Sequence, residues 1–186
     1  MRVQEKTKKE IADKLTKLGD YVKMEYLSRC LKQALDYDTK KFVLVTLAQL
    51  YESRAMFLEA GKMMRTAADI NTTHEGKISD YIRSIELLIK SGHFLEVDTS
   101  MNRAVAHANE RQRKDIRRGV IALYLLYAHD CLKKDRRKHA IAAYERVLTF
   151  NDLDAQQRQD SQQQLLSLYE RLGKMNDYFA LKRMMK

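Results

Sequence analysis

Proline is absent from the 186-residue chain, tryptophan is absent too, glycine occurs six times and cysteine twice. Any repeat in the chain therefore lacks a proline terminator. The glycines, at 19, 61, 76, 92, 119 and 173, never cluster, so no glycine-rich loop is available to cradle a phosphate. Cys30 and Cys131 are far apart and fall on apolar stripes at helical spacing. They read as two buried free thiols in a reducing compartment. No Cys-x2-Cys or His-Glu-x2-His occurs, which removes the usual spacings of a zinc site. No apolar run reaches the roughly 20 residues that a membrane span needs. The N-terminal stretch MRVQEKTKKEIADKL is charged throughout and has no apolar core of a secretory signal. Strand signals are weak, since clusters such as Phe42-Val43-Leu44-Val45 sit inside longer helical stripes. The expectation is a cytoplasmic, all-α protein.

What is present is charge and helical periodicity. Charged residues make up 32% of the chain and hydrophobic residues 45%, with a net charge of +10. The charge is uneven. Residues 101–150 hold 12 Lys and Arg against 5 Asp and Glu, whereas residues 51–100 hold 6 against 8. The basic excess thus lies in the third quarter.

Apolar residues at helical spacing fall into pairs of stripes. The clearest pair runs Leu44, Leu47, Ala48, Tyr51, then Phe57, Ala60, Met64, Ala67, with the polar break Glu52-Ser53-Arg54 between. Two stripes joined by a short break make an antiparallel helix hairpin. Five such hairpins are expected, over about 5–36, 40–70, 77–109, 115–150 and 153–185, in one repeat domain spanning 1–186. Equivalent turn positions are Gly19, Ala55, Gly92, Asp135 and Gly173, spaced 36, 37, 43 and 38 residues apart. Periods of this size belong to stacked helical repeats. In the first hairpin, Gly19 is expected to end a helix in the left-handed conformation, with Asp20 as the next N-cap. Tyr21, Met24, Leu27, Leu31 and Leu35 would share one face. In the last, Met175, Tyr178, Leu181 and Met184 would pack back on Leu165, Leu166 and Tyr169. The pairs Asp36/Asp38 and Asp152/Asp154 read as helix caps.

These repeats resemble tetratricopeptide repeats. That family places large and small residues as W-x2-L-G-x2-Y on one helix and A-x3-F-x2-A on its partner. Leu44, Leu47, Ala48, Tyr51, Ala60, Met64 and Ala67 fit the pattern. So do Tyr81, Leu88, Gly92, Phe94, Met101 and Ala104, and again Tyr124, Tyr127, Ala128, Cys131, Ala140 and Tyr144. The family period of about 34 residues is shorter than any spacing here. Longer repeats of this kind are similar to those of the SNAP-type vesicle-fusion adaptors. The resemblance implies a right-handed α-solenoid whose first helices line a concave groove. Carried over, that groove would include Phe42, Val45, Gln49, Ile82, Arg83, Glu86, Ala122, Leu125, Leu126 and His129. The chaperone-binding subclass clamps a carboxylate with Lys and Asn where this chain has Val45 and Gln49, and with basic residues where it has Ala122 and Leu126. The clamp is therefore missing, and the implied groove suits an amphipathic helix from a partner, or the chain's own last helix.

Chemistry is sparse. His74, His93, His107, His129 and His139 offer no i, i+4 pair. His129, Asp130 and Cys131 are adjacent on a helix, where successive side chains point about 100° apart and cannot converge as a triad. No enzyme activity, cofactor or metal is expected. Two basic clusters stand out. Arg111, Arg113, Lys114, Arg117 and Arg118 span the connection into the fourth hairpin, and Lys133, Lys134, Arg136, Arg137 and Lys138 lie at its turn. They would stand roughly 25–30 Å apart along one helix. They read either as solvated helix ends or as a surface for RNA or the ribosome. The leading expectation is a protein–protein adaptor, with RNA binding as the alternative. Oligomeric state is not legible.

Overall fold

The computed structural model of the chain describes residues 4–185. Among these there are ten α-helices and no strand: α1 (Lys8–Leu15), α2 (Asp20–Cys30), α3 (Tyr37–Ser53), α4 (Phe57–Ile70), α5 (His74–Ser91), α6 (Phe94–Ala106), α7 (Glu110–Lys133), α8 (Arg137–Leu148), α9 (Ala155–Arg171) and α10 (Met175–Met184). The all-α expectation holds. The residues form two compact units, one up to residue 110 and one from 111 onward.

One turn recurs in four hairpins. Ala55, Gly92, Asp135 and Gly173 adopt φ of 58°, 76°, 54° and 68°. Each donates its N–H to the carbonyl three residues back, on Glu52, Ile89, Leu132 and Glu170. The following residue donates to the carbonyl five back: Met56 to Tyr51, His93 to Leu88, Arg136 to Cys131 and Lys174 to Tyr169, at 2.8–3.2 Å. This is the left-handed helix stop, which satisfies carbonyls that the helix end leaves open. The helices that follow these turns have no side-chain cap. The first helices α1, α3, α5 and α9 are capped by side chains instead. Thr7 forms a capping box with Glu10, Asp36 accepts from Thr39, Thr73 from Gly76 and Asp154 from Gln157.

The stretch 5–36 departs from this pattern. Gly19 has φ −77° and ψ 159°, so it is extended and is itself the N-cap, while Asp20 is the first residue of α2. Asp20 pairs with Arg54 at 2.9 Å and Lys23 at 3.5 Å instead of capping. Tyr21 is 71% exposed. Its ring lies 4.7 Å beneath the Arg54 guanidinium. The buried side of α2 is Met24, Tyr26, Leu27 and Cys30, and Leu31 and Leu35 lie beyond the helix.

In the first unit, Ile11, Leu15, Met24, Tyr26, Leu27, Cys30, Val43 and Leu47 form one core cluster. Ala48, Ala60, Met64 and Leu87 form another. Burying each large aliphatic side chain contributes about 1.5–3 kcal/mol. α4 packs on α3 and, more extensively, on α5. At that contact Ser84 Oγ donates to the Gly61 carbonyl at 2.8 Å and lies 3.2 Å from Ser100 Oγ. The connection from α4 to α5 is held by the buried Asn71, whose Nδ2 donates to Asp80 at 2.8 Å and whose Oδ1 accepts from the Thr73 N–H at 3.2 Å.

In the second unit, Ile116, Val120, Ile121, Tyr124, Ala128 and Cys131 of α7 are buried, as are Ala140, Ile141, Ala143, Tyr144 and Val147 of α8. α8 packs on α9, and α9 on α10. Leu165, Leu168 and Tyr169 of α9 are buried, but no residue of α10 is. Met175 and Met184, expected to pack inward, are exposed.

Candidate functional site

The proposed groove residues of the first unit lie on α3 and α5. Phe42 and Val45 line a shallow cleft of about 530 Å³ with Lys8, Asp38 and Lys41. Lys8 Nζ stands 5.4 Å over the Phe42 ring, and Lys41 pairs with Asp80 at 3.1 Å. Gln49 and Ile82 are exposed. Arg83 and Glu86 belong to an ion cluster that ties α5 to α3. Arg83 donates to Glu52 and to Glu86, each at 2.5 Å, and Lys90 donates to Glu86 at 2.7 Å. Burial works to raise the Glu86 carboxyl, but the hydrogen bonds from Lys90 and Arg83 outweigh it and hold the group below the usual carboxylate range. This face is therefore mixed: an apolar patch at Phe42 and Val45, then charges already satisfied by each other.

In the second unit the candidate residues lie on α7. The first basic cluster is helical, occupying the opening turns of α7 and not the connection before it. A turn of about 100° per residue splits it. Arg111, Lys114 and Arg118 share a side with Ala122, Leu125, Leu126, His129 and Lys133. Arg113 and Arg117 fall on another, where Arg117 pairs with Asp152 at 3.1 Å. The shared side has an apolar centre between basic ends. Leu126 is 69% exposed, Leu125 is half-buried, and Arg111, Lys114, Arg118, His129 and Lys133 are exposed. Arg111 and Lys133 lie about 33 Å apart at 1.5 Å per residue. The groove residues of α7 and three of the five cations of the first basic cluster thus share one helix face.

The second basic cluster is also divided. Lys134 donates to Asp130 at 2.8 Å and Arg137 to Asp135 at 2.7 Å. Lys133, Arg136 and Lys138 are exposed. Lys133 and Lys134 suit a helix C-terminus, but Arg136, Arg137 and Lys138 stand at the N-terminus of α8, whose first turn has no acidic residue. The positive end of the helix dipole disfavours cations there.

The tyrosines expected in the stripes are mostly core. Tyr81, Tyr124, Tyr144 and Tyr169 are buried, while Tyr51 and Tyr127 are half-buried. Burial raises the Tyr144 phenol to about 12. Both cysteines are buried and free, and burial pushes both thiols up, which disfavours the nucleophilic thiolate. Among the described residues no three His, Cys, Asp or Glu side chains gather as a metal-ligand set, and no helix is long and apolar enough to cross a membrane. Periodicity missed the α3–α5 ion cluster; Glu52 looked like part of a polar break, and only the fold brings it to Arg83. No protein-family model matches the chain, and no curated protein matches it.

Proposed function

We propose that the chain is a non-catalytic adaptor built from tetratricopeptide-like helical hairpins, working in the cytoplasm, where its two thiols stay reduced. It holds a segment of a partner protein on the outward faces of its first helices. The observation that carries this reading is the α7 face, where exposed Leu126 and Ala122 sit between basic ends. An exposed leucine in a row with apolar neighbours contributes nothing to folding and gains by being covered. The test is Leu126→Asp, compared with the parent in partner capture from lysate after nuclease treatment. Capture should be lost with helicity unchanged; retained capture by the folded variant overturns the reading.

A second reading, RNA or ribosome binding, rests on Arg136, Arg137 and Lys138 at the N-terminus of α8. Cations kept where the dipole disfavours them suit an external anion. Reversing these three charges should weaken RNA binding, and binding by the parent should fall steeply with salt. Binding that ignores salt, or no binding at low salt, overturns it.

A further inference from the structure

The second helix of a hairpin has two sides to cover. In α4 one side packs on α3 and the other on α5, the first helix of the next hairpin. Counting from each left-handed turn residue puts the second helices in a common register. Six positions on lie Gly61 in α4, Asp98 in α6, Ile141 in α8 and Phe179 in α10; nine positions on lie Met64, Met101, Tyr144 and Lys182, and the α6 pair is half-buried. Gly61 is where α5 makes its close approach, through Leu88 and Ser84. Ile141 is 4% exposed, Met64 7% and Tyr144 1%. Phe179, by contrast, is 50% exposed, and Lys182 is exposed. α10 thus presents an aromatic ring and a cation at positions that α4 and α8 bury.

We infer that the outward face of α10 is a docking site for an acidic amphipathic helix of a partner protein. Charge complementarity selects the occupant. Among the described residues neither Lys182 nor Arg183 has a carboxylate partner; Lys182 Nζ lies over the Tyr178 ring at 5.4 Å. A helix with apolar side chains for Phe179 and for Met175, which is 42% exposed one turn before it, flanked by carboxylates for Lys182 and Arg183, matches this face. A second copy of a chain carrying +10 would bring the same cations against themselves. Lipid is separated from a partner helix by the vesicle measurement below.

The test is fluorescence anisotropy with a labelled designed helix of about 18 residues, five turns long, leucine along one side and glutamate flanking it. Its twin carries lysine for glutamate. The parent should bind the glutamate helix at least about tenfold tighter than the twin, and Phe179→Asp should weaken binding about tenfold with unchanged helicity. Lys182→Glu, which leaves Arg183 beside a carboxylate, should abolish the preference. Leu126→Asp should change nothing here, so this result is separate from the fate of the α7 reading. No binding, equal binding of the twins, or indifference to Phe179→Asp overturns the proposal. Binding of phosphatidylserine vesicles that depends on Phe179 would give the face to lipid, and dimerisation that Phe179→Asp abolishes would give it to a second copy; either also overturns it.

Discussion

A Cβ placed on Gly61 of α4 would stand 2.7 Å from Cγ of Leu88 in α5. Carbon atoms do not approach so closely without displacement, and Leu88 is fully buried, with little room to move. The Ser84 carbonyl would lie 3.3 Å from the same Cβ. Gly61→Val should therefore destabilise the protein by about 1–3 kcal/mol, despite removing glycine from a helix interior. Urea denaturation measures it. A variant as stable as the parent would show that α4 and α5 separate without loss.

Ala55 and Asp135 hold positive φ without being glycine. A left-handed residue with a Cβ costs roughly 1–2 kcal/mol, partly offset by the lower unfolded-state freedom of alanine. Ala55→Gly should raise stability by up to about 1 kcal/mol in thermal or urea unfolding. Asp135→Gly should gain less, because it also loses the pair with Arg137.

These turns explain what the sequence made legible. Four breaks at a period near 40 residues, each at the end of an apolar stripe, marked the turns inside four of the hairpins. Asp36 and Asp154 were readable as caps because an acidic residue three positions before a backbone donor has one obvious use. Gly19 was misread because glycine permits the left-handed region without requiring it. Tyr21 and Met175 were misread for a different reason. Periodicity says which side of a helix is apolar, but not whether a neighbour arrives to cover it. The first basic cluster looked single because its members are close in sequence, and helical rotation separates them.

Tyr81 donates its hydroxyl to Asp69 at 2.5 Å, and Arg103 holds both oxygens of that carboxylate at 2.7 Å. Burial first, and then Asp69, push the Tyr81 phenol up to about 12. Asp69→Ala would leave a buried hydroxyl unpaired, at a cost of about 1–3 kcal/mol. It should also bring the phenol down, read by ultraviolet titration. Arg103→Gln should cost less than Asp69→Ala, because it leaves the Tyr81 hydrogen bond in place.

His107 stacks nearly parallel to Tyr81, at 6.3 Å and 7°, and lies 5.5 Å from His74. Burial, with Lys77 and His74, pushes its imidazole below the ordinary value of 6.5. The folded state then takes up this proton at lower pH than the unfolded chain. Its share of stability is complete above the unfolded histidine value and is lost as pH falls through that value toward the folded one. His107→Gln should flatten the fall in stability between about pH 7 and 5, measured by urea midpoints across that range. An unchanged slope would assign the pH dependence to other groups.

The unit that repeats along the sequence is not the unit that coheres. The hairpin α3–α4 is bounded by a cap on one side and Asn71 on the other, yet α4 shares more of its surface with α5 than with its own hairpin partner. Cutting the chain between α4 and α5 would therefore sever the larger interface and uncover Gly61. Cooperativity should pass from α3–α4 to α5 through this seam, so a fragment ending at Asn71 should unfold more readily than one ending after α5, though only the first ends on a hairpin boundary. Truncation, grafting or exchange at Asn71 would each cut the first unit where it is best joined.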